Sequence, residues 1–333
     1  MRGLRTACGL LACAVAWQAC ETGQAPIAPA SDDAAMSALQ LDEVHWSDWS
    51  TPVNLGSVIN SASNDQHPAI SRDGLSLYFV SDRPGGQGGL DIYVSQRASV
   101  HDAWGAPQNL GTTINTAGTD MAPNLTIDGH RLFFHSDRPG GCGDFDLWMS
   151  TRRDVRDDFS WGPPVNLGCV INSPYKDAGP SFTYEKGIPT MYFTSTRPGG
   201  PGDFDIYKSR LQRDGTWGAA ELVPELSGPA RDTRTAISRT GLEMFMSSDV
   251  TGRPDGVGSQ DLWRSTRAST RDAWSAPVNL GPTVNSTAFD GAPALSFDGT
   301  TLYFFSARPG GFGAYDLYVT TRTPLYRHGK AAW

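Results

Sequence analysis

Apolar side chains in this chain gather in short runs that return at a fixed interval. Leu77-Tyr-Phe-Val-Ser81 is the first, and Leu132–Ser136, Met191–Ser195, Met244–Ser248 and Leu302–Ser306 repeat it. A run that is apolar throughout, rather than alternating, predicts a strand covered on both faces. Before the first run, Pro68-Ala-Ile-Ser71 reads as a shorter strand, and Arg72-Asp73-Gly74 as the hairpin turn between the two, since Asp-Gly tolerates positive φ. After it, Arg83-Pro-Gly-Gly breaks the chain, Asp91–Ser95 forms a third strand, and Trp104–Leu110 a fourth. No stretch after residue 20 carries a helical period.

The fourth segment marks the period. Trp49-Ser-Thr-Pro-Val-Asn-Leu-Gly returns at Trp104, Trp161 and Trp274 and, weakly, at Trp217, with spacings of 55, 57, 56 and 57 residues. Four short strands in about 56 residues make a propeller blade, a unit that covers its faces only by stacking on neighbours in a ring. The phase sets the closure. The chain opens on an orphan fourth strand, Trp49–Gly56, and ends after a third strand, Asp316–Thr320. The N-terminal strand therefore completes the last blade and leaves no open sheet edge. The expected fold is all-β: a five-bladed β-propeller over residues 46–322, four antiparallel strands to a blade, with residues 323–333 as a C-terminal tail.

The pattern Asp-x-x-Pro-x-x-Ser-x-Asp-Gly, then Leu-Tyr-Phe, Ser-Asp-Arg-Pro-Gly-Gly and Asp-Ile-Tyr resembles the TolB-type, WD40-like β-propeller repeat of bacterial envelope proteins. The resemblance spans about residues 46–322 and implies an envelope protein that binds other proteins, often beside peptidoglycan-binding domains. The chain departs from TolB in showing five blades rather than six, and in showing neither the extra α/β domain nor an OmpA-like domain. A direct part in the Tol system does not follow.

The N-terminus bears on location. Arg2 and Arg5 precede the small-residue apolar run Thr6–Ala16, and Ala19-Cys20 closes a segment that reads as an export signal over residues 1–20. The run is too short to span a bilayer. Cys20 stands where a lipoprotein carries its lipid, although Trp17 occupies a place usually filled by a branched aliphatic; cleavage nearby, giving a soluble exported protein, is the competing reading. Residues 21–45, rich in Ala, Pro, Ser and Asp, read as a flexible tether. The expected setting is the periplasm or the outer membrane of a Gram-negative bacterium, with membrane contact only through the N-terminal anchor and a monomeric domain. Loss of residues 1–19 takes two arginines and no acid, moving the net charge from −8 to −10. With no basic cluster, nucleic acid is excluded as a partner.

Three charged positions recur in every blade. Asp65, Asp120, Asp177, Asp232 and Asp290 precede the innermost strands; Arg83, Arg138, Arg197, Arg253 and Arg308 open the Gly-rich loops; Asp91, Asp146, Asp205, Asp261 and Asp316 open the third strands. A group needed once per blade is a structural device, and pairing of these Arg and Asp side chains is expected. The competing reading is a carboxylate ring holding a cation in the central channel. No other cofactor or metal is expected, and the Arg-Pro-Gly-Gly loops lack the helix and Lys-Ser/Thr of a phosphate-binding loop.

Function is expected where the repeat breaks. In the fourth unit Thr235 replaces the repeated proline, the second loop extends through Asp249–Asp255, and Asn-Leu-Gly becomes Val223-Pro-Glu225. Tyr175, Lys176, Arg231, Arg234 and Asp255 are the ligand-binding candidates, placed in a groove between blades three and four. No catalytic residue stands out: the six histidines lack metal spacing, His135 reads as a packed or interblade residue, and no Gly-x-Ser-x-Gly elbow is present. A glycosidase needs two unlike carboxylates, which the sequence does not single out. Cys142 and Cys169 fall on the same rim and are disulfide candidates in an oxidising compartment. The expectation is thus a non-catalytic envelope propeller binding a protein or glycan through its loop rim, with a propeller-fold glycoside hydrolase or lyase, or a purely structural component, as alternatives.

Overall fold

A computed structural model describes residues 45–325. The export signal, Cys20, nearly all of the tether and the end of the C-terminal tail lie outside the described residues.

The chain forms five four-stranded antiparallel sheets, each ordered from the channel outward. Blade one comprises Asp65–Ile70, Ser76–Ser81, Asp91–Gln96 and Gln108–Asn109. In blade five the outermost strand is Val53–Asn54, which pairs with Val319 and Tyr318 of the third strand, Asp316–Thr321. The ring is therefore closed by the N-terminal strand. A two-residue ladder, His45–Trp46 on Pro324–Leu325, adds a second closure; it takes His45 from the segment read as tether and Pro324–Leu325 from that read as tail.

Strand limits differ from expectation in two ways. The outermost strands run two residues, not seven; in four blades a proline (Pro52, Pro107, Pro164, Pro277) without an N–H stands just before the ladder, and in blade three the equally short Glu221–Leu222 follows Ala220. The innermost strands begin at the repeated Asp, which pairs across the sheet, as Asp65 does with Ser81. The divergent segment Glu221–Leu222 is the outermost strand of blade three, not of blade four. Leu222 pairs with Tyr207 as Asn109 does with Tyr93, so Asn-Leu-Gly is replaced by Leu222-Val223-Pro224 and not by Val223-Pro-Glu225.

The second strands lie wholly inside the stack: Leu77, Tyr78, Phe79 and Val80 are all fully buried. Each packs against the next blade, so Phe79 shares a cluster with Tyr303 and Phe305 of blade five, and Phe133 of blade two with Met191 and Phe193 of blade three. Buried ion pairs join blades as well. Asp158 of blade two accepts from Ser76, Tyr78 and Gln96 of blade one and from its own Arg152. Arg267 of blade four meets Glu185 of blade three at 2.6 Å, and Arg322 of blade five meets Glu243 of blade four at 2.5 Å.

The repeated Arg and Asp side chains form one device per blade. Arg83 bonds Asp65 at 2.5 Å and the Ile59 carbonyl at 2.6 Å while its guanidinium sits over the Phe79 and Tyr93 rings. The same Arg–Asp pair recurs at Arg138–Asp120, Arg197–Asp177, Arg253–Asp232 and Arg308–Asp290. The Pro-Gly-Gly sequence follows from this packing. Gly85 has φ +92°, and any Cβ on Gly86 collides with the Asp91 carboxylate, which is held by the Gln87 amide and Asn109.

Candidate functional site at the channel mouth

Each innermost strand carries a β-bulge two residues after its Asp, and the bulged residue takes a left-handed conformation. These residues are His67, Ala122, Gly179, Arg234 and Ala292, with φ between 43° and 60°. They form a ring around the central channel, alike in backbone but of four residue types. Above it, on the rim that carries the Gly-rich loops, opens a cavity of about 280 Å³.

The cavity is walled by the rings of Phe145, Phe204, Phe289 and Phe305, floored by His67, His135 and Arg234, and edged by Lys176, Arg231 and Gln260. Phe145, Phe204 and Gln260 each precede the Asp of a third strand, a position that reads Leu90, Phe145, Phe204, Gln260 and Tyr315 around the ring. Aromatic planes with a few convergent polar groups are the usual build of a small-molecule site.

Its electrostatics are one-sided. Lys176, Arg231 and Arg234 all line it, and no Asp or Glu does. Arg231 sits over the Phe204 ring and lies 3.7 Å from Asp203, an exposed rim carboxylate. Arg234 is 4% exposed; burial lowers its pKa to about 9, so it keeps its charge at neutral pH. Burial, then the charge of Arg234, hold His135 down at about 3, and the same two causes with a smaller contribution from His135 keep His67 well below its usual value. Both imidazoles are thus neutral. His135 Nδ1 accepts from the Gly179 amide at 3.3 Å, bridging blades two and three.

Of the candidates from sequence, Lys176, Arg231 and Arg234 meet at this mouth, but around the channel and not in a groove between blades three and four. Tyr175 is 45% exposed and Asp255 lies on the extended loop of blade four; neither lines the cavity. The five repeated Asp carboxylates are buried in their loops: Asp65 accepts from Ser61 and Arg83 with both oxygens. No cluster of three or more His, Cys, Asp or Glu side chains suited to a metal is found among the described residues. Cys142 and Cys169 are joined in a disulfide with Cα atoms 5.6 Å apart. Sequence reasoning missed His67 and the phenylalanines; the signal was the variability of four fixed repeat positions: the bulge, the residue before the third-strand Asp (Phe145, Phe204), the residue before the first-strand Asp (Phe289) and the second-strand position of His135 (Phe305).

No family model matches the chain, and no curated protein matches it in sequence. Solved structures do match. An α-L-arabinofuranosidase from Lactobacillus brevis covers 78% of this chain and 90% of its own at 14% identity, with a TM-score of 0.55. A second, from Podospora anserina in complex with cellotriose, covers 84% and 98% at 12% identity, with a TM-score of 0.54. TolB from Acinetobacter baumannii aligns at a TM-score of 0.49 and 15% identity, over 80% of this chain and 56% of its own. The fold is that of a β-propeller, and the likeness to glycosidases covers most of the chain. This overturns the expectation of a non-catalytic module binding through its loop rim. That reading leaned on the uniformity of the repeat, yet uniform positions build the blades, and the cavity is lined by residues that vary between them.

Proposed function

We propose that the protein is a glycan-cleaving enzyme, a propeller-fold glycoside hydrolase whose substrate enters the cavity at the channel mouth. The observation that carries the reading is an aromatic-walled pocket built from non-repeated residues, at the centre of a fold shared with arabinofuranosidases. Phenylalanine faces suit sugar rings, and Lys176, Arg231 and Gln260 suit their oxygens. Hydrolysis needs two carboxylates, and Asp144 and Asp203 are the candidates. Each immediately precedes a lining phenylalanine, they occupy the same position in adjacent blades, and Asp203 reaches Arg231. Glycine or small residues stand there in the other blades (Gly89, Ser259, Ala314).

A second reading, cleavage of the glycosidic bond by β-elimination, is favoured by a lining that is cationic and free of carboxylates. The test is a panel of aryl glycosides, arabinoxylan and acidic polysaccharides, assayed for new reducing ends and for the ultraviolet absorbance of an unsaturated product. Asp203→Asn and Asp144→Asn are each expected to cut hydrolysis at least 100-fold. Reducing ends with absorbance, unaffected by these variants, would favour the lyase; no product from any substrate would refute both. The TolB-like character of the repeat, the export signal and Cys20 support an envelope location, periplasmic or lipid-anchored, where exogenous glycans are met.

A further inference from the structure

Arg234 is unlike every other arginine in the ring. Its counterparts at the bulge are His67, Ala122, Gly179 and Ala292, so in the bulge layer an arginine comes from blade four alone. Arg234 lines both the upper cavity and the opposite mouth of the channel. Nη2 donates to the Pro123 carbonyl at 2.7 Å and, more weakly, to that of Pro68 at 3.4 Å. Nε and Nη1 are shielded from solvent and have no hydrogen-bond partner among the described residues, and neither does the neighbouring Nδ1 of His67. No carboxylate forms an ion pair with Arg234 among the described residues, whereas Arg152, Arg267 and Arg322, comparably buried, each have one.

A buried, charged and half-satisfied guanidinium is costly, because the interior gives back neither the hydration nor the counter-charge it removes. Arg83 and its repeats show how this fold settles an arginine when the purpose is structural: a carboxylate, a carbonyl and two rings. Arg234 has two carbonyls and vacant, solvent-shielded N–H groups, and it lines a cavity that Lys176 and Arg231 make more positive still. Such an arrangement, in a chain of net charge −8, is built for an anion that arrives from outside.

We propose that the free N–H groups of Arg234 receive a carboxylate at the channel mouth, which makes the preferred glycan an acidic one bearing a uronate. The sugar half of this statement rests on the glycan reading above; the carboxylate half does not. The phenylalanine walls would hold the pyranose, and Lys176 and Arg231 would draw the anion in.

The test is calorimetric titration of the exported chain with glucuronate, glucose, acetate and chloride, repeated on Arg234→Ala and Arg234→Met. Glucuronate is expected to bind at least tenfold more tightly than glucose and to lose that advantage in both variants. Ala122 and Ala292 already house alanine at this bulge, so ligand-free Arg234→Ala is expected to melt no lower than wild type. Acetate binding that depends on Arg234, with glucuronate no tighter, supports the carboxylate site and removes the sugar. Equal binding of glucose and glucuronate, untouched by the variants, overturns the proposal and spares the glycan reading. Chloride matching acetate, no binding at all, or a ligand-free variant that unfolds easily also overturns it, the last by giving Arg234 a structural role.

Discussion

Asp158 tests how the blades are held together. It is 2% exposed and its two oxygens take four side-chain hydrogen bonds of 2.6–2.7 Å, three of them from blade one. Asp158→Ala leaves Arg152 as a buried cation and Tyr78, Ser76 and Gln96 without their acceptor. Removing one partner of a buried pair costs about 3–5 kcal/mol. Arg152 keeps the Gly129 and Asp157 carbonyls and the face of Trp161, which places the expected loss near the lower bound, about 3 kcal/mol. Asp158→Asn, which keeps an acceptor and the shape, is expected to lose about half as much. Urea unfolding gives the measurement, as a lower midpoint at unchanged slope. Acid provides an internal check. Burial alone raises the Asp158 pKa, but the bonds from Ser76, Tyr78, Arg152 and Gln96 outweigh it and hold the group below its ordinary value. A depressed carboxylate stabilises the fold above its unfolded pKa of about 3.9, and that contribution fades as pH falls through the folded value. The gap between wild type and Asp158→Ala is therefore expected to hold from neutral pH to about 4 and to narrow below it. A loss under about 1 kcal/mol, or a gap that widens in acid, would refute the view that this network joins blades one and two.

Two further outcomes are expected. The disulfide closes a loop of 27 residues, for which chain entropy predicts about 3.5 kcal/mol; Cys142→Ser/Cys169→Ser should lose about this much in urea titration, and an unchanged midpoint would mean that the bond adds nothing. His135, folded pKa about 3, is neutral in the fold but protonates near pH 6.5 once unfolded, so stability is full above about 6.5 and falls by roughly 1.4 kcal/mol per pH unit below it. His135→Val, the residue present at Val80, should remove its share of that slope, and an unaltered slope between pH 6 and 5 would place the titration elsewhere.

The blade count, the closing strand and the Arg–Asp pairs were legible because each is written five times. Periodicity turns a weak local signal into a strong one: Trp49 alone means little, but five tryptophans at even spacing fix the ring. The Arg97, Arg152, Arg267 and Arg322 side chains, which stack on tryptophans and bond the turn carbonyls of Gly74, Gly129, Gly241 and Gly299, were missed although they too recur. Each stands six residues after its third-strand Asp, with Leu211 in that place in blade three, so the position was fixed and only its pairing with the tryptophan, across a loop, was not legible. Arg234 was singled out, but as a groove residue. A bulge turns the side chain that follows it, and nothing in the residues around Arg234 announces one: Thr235 stands where the other four blades carry Pro68, Pro123, Pro180 and Pro293.

The bulge explains how a five-fold scaffold supports a site without five-fold symmetry. The backbone at His67, Ala122, Gly179, Arg234 and Ala292 is the same, so each blade offers the channel one side chain at one height. Five arginines there would repel one another beyond what any single ligand could offset, and five alanines would leave an inert hole. One arginine opposite a neutral histidine, with small residues between, gives a pocket a direction: a charged floor on the side of blade four and space beside it. The same argument applies one layer higher, where Phe145 and Phe204 stand in adjacent blades and Gln260 in the next. On the proposed glycan reading, asymmetry in these two layers would let a sugar bind in one orientation, as cleavage at one bond requires. Substitutions that make the rings more uniform, such as Gln260→Phe with Arg234→Ala, should therefore abolish activity while leaving the melting temperature of the propeller intact.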